Sequence, residues 1–517
     1  MSKYRILIAG AALFITLICW SLSSPINSHQ DEKFHLASIW CADGFDDRCE
    51  YQGLSENSLD VVLLKTNLCT PANTEQTMYK RLLVSRTTGD CKFKYKINEP
   101  LKTMNVSPNF FYETNTQISA WVLPGHTPTA YYKFMNKFEG KNAERSVIRF
   151  RILNSLLFVM LMMILLCVGT KTIRETTSIG LFFTLIPHGL FLISSVSNTS
   201  WSFTGCTLSW AFFYVLLNQP FRFSLTLLLT TLGWIISCGI AVFSRYESVI
   251  YLLATNLAVW IFIHYSQSKR SKTNFYFVLV GFLALVLVAW TRTPGLRFLT
   301  RSPLSETSPT DLIIVLGNSI KLAISTPLRI LGLQAPGWGP LQASLAVFLF
   351  NLIFFGYLTI SFLRADQKAA LVTRLFVFGF IFAIYFYQCF TQRNWTTPFY
   401  LVRTSWTSDQ FSPRYFIPYF PFLFGMLALT SNNFPKFFAD SKFKISLLTL
   451  LFVTQAITLY NISETFRDNP SWYWQNFFIG VNTVLISGII SFLVFLYLII
   501  FPSSSKKTVS KTSPHLS

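Results

Sequence analysis

Residues 4–23 read Tyr4-Arg5-Ile6-Leu7-Ile8-Ala9-Gly10-Ala11-Ala12-Leu13-Phe14-Ile15-Thr16-Leu17-Ile18-Cys19-Trp20-Ser21-Leu22-Ser23, and Ser24-Pro25-Ile26-Asn27-Ser28-His29-Gln30-Asp31-Glu32-Lys33-Phe34-His35 follows. The first half is an apolar run of the length that crosses a bilayer as a helix. The second half sets two carboxylates and a histidine where that helix emerges. Lys3 and Arg5 precede the run, as basic residues precede the core of a signal peptide. No small-x-small cleavage site follows, and Trp20 is bulky, so the run reads as an uncleaved first transmembrane helix.

The same pattern recurs along the chain. Half of the 517 residues are apolar, 52 are Phe, and only 13% are charged, about half the usual globular share. The reading is an all-α integral membrane protein of about twelve transmembrane helices. The expected helices cover residues 4–23, 153–170, 179–196, 204–217, 223–243, 249–265, 275–290, 341–363, 375–390, 415–430, 445–461 and 477–501. The net charge of +20 does not imply nucleic acid, because many Lys and Arg lie in short segments between apolar runs, where they orient a membrane protein. With the N-terminus in the cytoplasm, the inner loops hold Lys171 and Arg174, Arg222, Lys269, Arg270 and Lys272, Arg364, Lys368 and Arg374, and Lys436, Lys442 and Lys444. An even helix count returns the basic tail to the same side, giving a multi-pass plasma-membrane protein with both termini cytoplasmic.

The organisation that follows is a first transmembrane helix at 1–23, an extracytoplasmic region at 24–149, helices two to seven at 150–290, a second extracytoplasmic segment at 291–340, helices eight to twelve at 341–501 and a cytoplasmic tail at 502–517. The first outer region holds Cys41, Cys49, Cys69 and Cys91. Four cysteines outside the membrane imply two disulfides, and Cys41–Cys49 with Cys69–Cys91 is the simplest of three connectivities. In the second outer segment, the apolar stretch 312–333 is broken by Asn318, Lys321, Pro327 and Arg329, which suits a helix lying on the membrane surface.

The chain carries no internal repeat, P-loop, dinucleotide-binding glycine pattern or zinc-type spacing. Its cytoplasmic segments are too short for a nucleotide-binding domain. Chemistry, if any, belongs in the membrane or outside it, where nucleotide sugars are scarce, and this points to a lipid-linked substrate.

Three sets of residues suit such chemistry. Pro25 ends the first helix, and Ser28-His29-Gln30-Asp31 has the form of a capping box opening a short helix. On that helix Asp31 and His35 share a face, with Glu32 beside them. A carboxylate there can act as a general base on an acceptor hydroxyl, or hold a divalent metal at a phosphate through Asp31 or Glu32. The plainer alternative is that Asp31 caps the helix while Glu32 and His35 face solvent. The second set is Gln410-Phe411-Ser412-Pro413-Arg414-Tyr415 at the outer edge of a span, where Arg414 suits a phosphate or simply snorkels to the interface. The third is Arg292, Arg297, Arg301, Lys321 and Arg329 in the second outer segment, against the usual charge bias. Asn198-Thr199-Ser200 is among the triplets that fit a glycosylation site.

Pro25…Asp31-Glu32-Lys33-Phe34-His35 resembles the proline-then-Asp-Glu-x-x-His signature of a bacterial multi-pass membrane family, the domain-of-unknown-function family 2142. Gly337-Trp338 resembles that family's Gly-Trp pair, and Gln410…Arg414-Tyr415-Phe416-Ile417-Pro418 resembles its Gln-Gly-Arg-Tyr element. Lys33 stands where the family usually has proline, and Phe411-Ser412-Pro413 replaces a single glycine. The family is in turn similar to the GT-C class of membrane glycosyltransferases, which use polyprenyl-phosphate sugars and place an acidic residue early in a large first outer loop. The resemblance implies Asp31 as the catalytic carboxylate, supported by Glu32 and His35. It implies a phosphate site drawn from Arg414, Tyr415 and Gln410, to which Arg292 and Arg297 are candidate additions. The expected partners are the lipid bilayer, a polyprenyl-phosphate-linked sugar and a cell-envelope acceptor. A flippase or transporter of a lipid-linked saccharide, or a non-enzymatic envelope assembly protein, is the alternative.

Overall fold

The computed structural model describes residues 3–24, 29, 32–42, 49–54, 60–64, 82–87, 90–95, 102–105, 116–119, 130–140, 143–169, 174, 180, 182, 184–219, 223–245, 248–266, 281, 283, 309–333, 344–363, 368–391, 417–431, 440–466 and 480–501. In chain order the helices are α1 (Lys3–Ser23), α2 (Glu32–Trp40), α3 (Ala130–Asn136), α4 (Ala143–Val168), α5 (Pro187–Ile193), α6 (Asn198–Asn218), α7 (Leu225–Ser244) and α8 (Ser248–Ser266). They continue with α9 (Pro309–Leu328), which runs into a π-helical turn at Arg329–Leu333, then α10 (Leu345–Leu363) and α11 (Lys368–Thr391). A 3-10 turn (Ile417–Tyr419) leads into α12 (Phe420–Leu429), and α13 (Ser441–Phe466) and α14 (Val481–Ile500) complete the described helices.

The burial pattern is that of a bundle in lipid. α7 turns Thr230, Gly233, Trp234, Ser237, Cys238 and Ala241 inward and leaves Leu228, Leu232, Ile235 and Ile236 exposed. α14 likewise buries Gly488, Ser491 and Phe492 and exposes Ile486, Ile490 and Val494. Small and hydroxylated residues face in and branched aliphatics face out, the reverse of a helix on a water-soluble core. Among the described residues, α1, α4, α7, α13 and α14 are the five helices long and apolar enough to span a membrane.

α6 sits at the centre, with every residue from Asn198 to Leu217 buried except Tyr214. Its polar first half (Asn198, Thr199, Ser200, Ser202, Thr204) hides this helix from a reading by apolar run length, so the expected 204–217 falls six residues short at its start. Ser197 supplies the N-cap, its hydroxyl accepting from the Thr199 amide at 3.1 Å. The expected helix at 179–196 is interrupted: residues 180, 182 and 184 are helical, Ile186 before Pro187 takes an extended conformation (ψ 160°), and the helix restarts at the proline as α5. α4 begins ten residues before the expected 153, taking Arg145, Arg149 and Arg151 into helix. The expected helix at 275–290 lies outside the described residues apart from 281 and 283.

The described bundle is helical, and the stretch between α1 and α4 is of mixed structure. It holds α2, α3 and six strands: β1 (Cys49–Leu54), β2 (Asp60–Leu64), β3 (Leu82–Thr87), β4 (Asp90–Tyr95), β5 (Lys102–Asn105) and β6 (Thr116–Ser119). They pair antiparallel in the orders β1-β2-β6 and β3-β4-β5. All-α therefore holds for the bundle and not for its outer region. Run-length reading looks for membrane spans and passes over five-residue strands of mixed composition. Cys41 is buried just past the end of α2, while the side chains of Cys49, Cys69 and Cys91 lie outside the described residues.

α9 lies against the bundle rather than apart from it: the Asn351 amide of α10 donates to the Leu331 carbonyl at 2.8 Å. Ser319, Ser325 and Thr326 face inward, and Leu316, Ile320 and Ile324 are exposed.

The first and last described helices pack antiparallel. Arg5 donates to the Leu498 carbonyl at 3.0 Å and also to that of Phe501, and Thr16 meets Ser491 at 2.9 Å. α4 is antiparallel to α1 as well, since Gly10 abuts Met163 and Arg151 reaches Ser21. One end of the bundle therefore carries Arg5, Arg174 on the Gly169 carbonyl (2.8 Å), and Lys444 over the Phe501 ring at 6.0 Å. The opposite end carries the residues that follow α1.

Close approach of α6 and α7 rests on Gly205. A Cβ there would lie 2.2 Å from the Ser237 carbonyl oxygen and 2.7 Å from the Ala241 Cβ. Gly205→Leu is expected to destabilise the detergent-solubilised protein by on the order of 3 kcal/mol. Gly239→Leu, at an α7 position with nothing within 4 Å, should leave the melting temperature unchanged. Equal melting temperatures for the two variants would remove this contact from the fold.

Candidate functional site

Helix ends leave backbone groups without partners, and the site begins there. α1 stops at Ser23, and the carbonyls of its last turn need donors. Arg151, two turns into α4 and fully buried, donates from Nη1 to the carbonyls of Ser21 and Ser24 at 2.8 Å each. Its other face meets Glu32 in the first turn of α2: Nε to Oε1 at 3.0 Å, Nη2 to Oε1 at 2.8 Å and Nη2 to Oε2 at 2.9 Å. One guanidinium thus closes the C-terminus of one helix and pairs with the acid at the N-terminus of the next, the polarity each helix dipole favours.

His29 completes this cluster. Its Nδ1 lies 3.4 Å from Glu32 Oε2, and its ring stacks on Phe191 of α5 with centroids 3.9 Å apart. Burial alone would push the Glu32 carboxyl up, but the charge of Arg151, then His29, and hydrogen bonds to both outweigh it and hold the group at about 2. Burial and the Arg151 charge lower His29 to about 4, against the opposing pull of Glu32, so the imidazole is neutral at pH 7.

His35, one turn further along α2, is also buried. Its Nδ1 lies 3.1 Å from the Tyr132 hydroxyl of α3, and its Nε2 lies 3.1 Å from the Ser197 hydroxyl that caps α6. A neutral ring with one donor and one acceptor nitrogen matches two hydroxyl partners. Next to it, Asn154 of α4 donates to the Tyr131 hydroxyl (3.3 Å) and the Ser195 carbonyl (2.7 Å), and accepts from the Trp201 indole (2.9 Å). The three outer elements α2, α3 and α4 close over the start of α6 around Leu36, Ile39, Tyr131, Met135 and Phe150.

These positions correct the sequence reading. α2 is described from Glu32, not from Ser28, and neither Glu32 nor His35 faces solvent. Ser28 and Asp31, the two partners of the expected capping box, lie outside the described residues, and His29 packs against α5. A metal does not fit Glu32, because both carboxylate oxygens are already committed to Arg151 and one also to His29. No cluster of three metal-ligating side chains occurs among the described residues. Asn198 is no glycan acceptor here, being buried with its amide on the Ser244 carbonyl at 3.1 Å. Asp31, Arg292, Arg297, Gln410, Arg414 and Tyr415 lie outside the described residues. Of the third motif, Ile417-Pro418-Tyr419 is described as a buried turn whose Tyr419 hydroxyl donates to the Val377 carbonyl at 3.3 Å.

Sequence reasoning did not single out Arg151, Ser197 or Tyr132. Arg151 carried a signal: a cation directly before an apolar run. Ser197 and Tyr132 carried none, since a serine in a polar loop and a tyrosine among aromatics are commonplace.

Two outcomes follow from the ion pair. Arg151→Met, which leaves a buried carboxylate unpaired, is expected to cost about 3–5 kcal/mol, and Glu32→Leu/Arg151→Met should cost clearly less. Equilibrium unfolding in detergent measures both, and an equal loss in the two would mean that the pair is not coupled. For pH, the unfolded chain takes up a proton at His29 near 6.5 and the folded one only near 4, so stability falls as pH drops through that window. Glu32 adds a further fall between about 4.5 and 2. Melting temperature against pH should show the first fall in the parent protein and a shallower one in His29→Gln.

A family model described as "Predicted membrane protein (DUF2142)" matches residues 14–423 of the chain. No curated protein and no solved structure matches it at a significant level. The match runs from the middle of α1 through the ion-paired motif and the bundle to the start of α12, so the chain belongs to the DUF2142 family of predicted membrane proteins.

Proposed function

We propose that this protein is a membrane glycosyltransferase that moves a sugar from a polyprenyl-phosphate carrier to a cell-envelope glycan or protein on the extracytoplasmic face. The observation that supports this reading is the buried Glu32–Arg151 pair. Burying an ion pair costs several kcal/mol per ion before the partners repay it. Here it clamps the residue that directly follows Asp31 to the end of α1 and the body of α4. Glu32 is thereby a positioning residue, with no lone pair left for chemistry, and His35 is a positioning residue between α3 and α6. Asp31 remains as the reactive carboxylate of the motif.

In the proposed reaction Asp31 takes the proton of an acceptor hydroxyl as its oxygen attacks the anomeric carbon. The bond from that carbon to the phosphate oxygen breaks, the lipid phosphate leaves as an anion, and the configuration inverts. Arg414, with Tyr415 and Gln410, and Arg292 and Arg297 from the second outer segment, are the proposed phosphate ligands. The GT-C likeness, about twelve spans and cytoplasmic termini belong to the same proposal, and Arg5 of α1 and Lys444 of α13 meeting the same end of α14 support it. The disulfides Cys41–Cys49 and Cys69–Cys91, the simplest of three connectivities, belong to the same proposal.

The test uses the purified full chain with radiolabelled polyprenyl-phosphate sugars and an envelope acceptor. The parent protein should transfer label, and Asp31→Asn should lose at least about a hundredfold in rate. Unchanged transfer by that variant removes Asp31 from the mechanism. Movement of the carrier between leaflets without transfer overturns the enzyme in favour of a flippase.

A further inference from the structure

α3 lies across the ends of α6 and α7 at the motif end of the bundle and has two unlike faces. Tyr131, Tyr132 and Met135 are buried beneath it. Lys133, Phe134, Lys137 and Phe138 point outward and are exposed, the two phenylalanines at 43% and 37%. Phe134 packs on Phe138 (5.2 Å between centroids) and on Trp201 of α6 (5.3 Å), so the exposed rings are held in place. They sit beside α7, whose Ile235, Ile236 and Phe243 are also exposed, and so extend that helix's apolar outer surface toward its end.

Cations surround these rings. Gly140 follows α3, and its amide donates to the Ser146 hydroxyl at 2.9 Å, which folds the start of α4 back beside it. The Arg149 guanidinium lies over Gly140, 2.7 Å from where a Cβ would stand. Arg145, one turn earlier on α4, is exposed like Arg149. Lys133, Lys137, Arg145 and Arg149 thus flank one corner, with Glu139 as the described carboxylate among them. Aromatic rings at the edge of an apolar belt, ringed by Lys and Arg, are complementary to the interfacial layer of a membrane rich in anionic lipid.

We propose that the α3–α4 corner is a binding site for the phosphate headgroups of anionic phospholipids, with Phe134 and Phe138 inserted among the acyl chains and Lys133, Lys137 and Arg149 on the phosphates. The site fixes the depth of α3 and, through Tyr132 on His35, of the motif it covers. It does not depend on sugar transfer.

The full chain is reconstituted in nanodiscs of phosphatidylcholine containing one quarter phosphatidylglycerol, extracted gently, and its retained lipids are counted by native mass spectrometry. The parent protein should retain phosphatidylglycerol above its share in the disc. Lys133→Gln/Lys137→Gln/Arg149→Gln should lose at least roughly half of that excess while retaining phosphatidylcholine unchanged. Phe134→Ser/Phe138→Ser should lose both lipids from the site. All of these side chains are exposed, and an unchanged melting temperature in pure phosphatidylcholine discs confirms folding. Equal phosphatidylglycerol retention by parent and triple variant, or no excess in the parent, overturns the proposal.

Discussion

The outer half of this molecule depends on one buried guanidinium. Arg151 joins the last carbonyls of α1, the first-turn acid of α2 and the body of α4, and its contacts with Ser21, Ser24 and Glu32 are 2.8–3.4 Å and closed to solvent. Water cannot substitute for any of these partners at that depth, so the three elements hold together as a unit. α2 and His29 are thereby seated against the bundle beside the end of α1. A charge buried this fully is strong only as part of a complete set, because each partner removed leaves another without solvation.

From this clamp the remaining order of the outer end follows. With Glu32 pinned, α2 carries His35 to the cap of α6, and Leu36 and Ile39 to the underside of α3. α3 in turn offers Tyr132 to His35 and Tyr131 to Asn154 of α4. The polar contacts therefore connect α2, α3, α4 and α6, and hydrophobic contacts fill the spaces between them. Such a network is rigid, and rigid framing is what a reactive carboxylate at position 31 would require.

The membrane body obeys a different rule. Its described helices turn apolar side chains outward, so burial of apolar area does not drive one helix onto another there. Close packing does so instead, and it is visible where Gly205 meets α7 and Gly488 meets Cys19 of α1. Hydroxyl-to-hydroxyl bonds between helices, such as Thr16 with Ser491 and Ser202 with Ser248, add specificity at little cost in space.

Run length and charge in the sequence determined that the chain is a membrane protein, since about twenty apolar residues in a row have few other stable fates. They located α1, α7, α8, α10, α13 and α14 closely, because those helices show their lipid-facing side chains. They also marked the motif after α1 as unusual, and the family match bears out the resemblance drawn from it. They missed the full extent of α6, whose buried half is polar, and the break before α5, where a single proline decides. They also missed the short strands of the outer region. Only the tertiary structure decided that Glu32 is an anchor rather than a metal ligand or a solvent-facing acid. Its partner is 119 positions away, and no local pattern at either residue records an ion pair made across that distance.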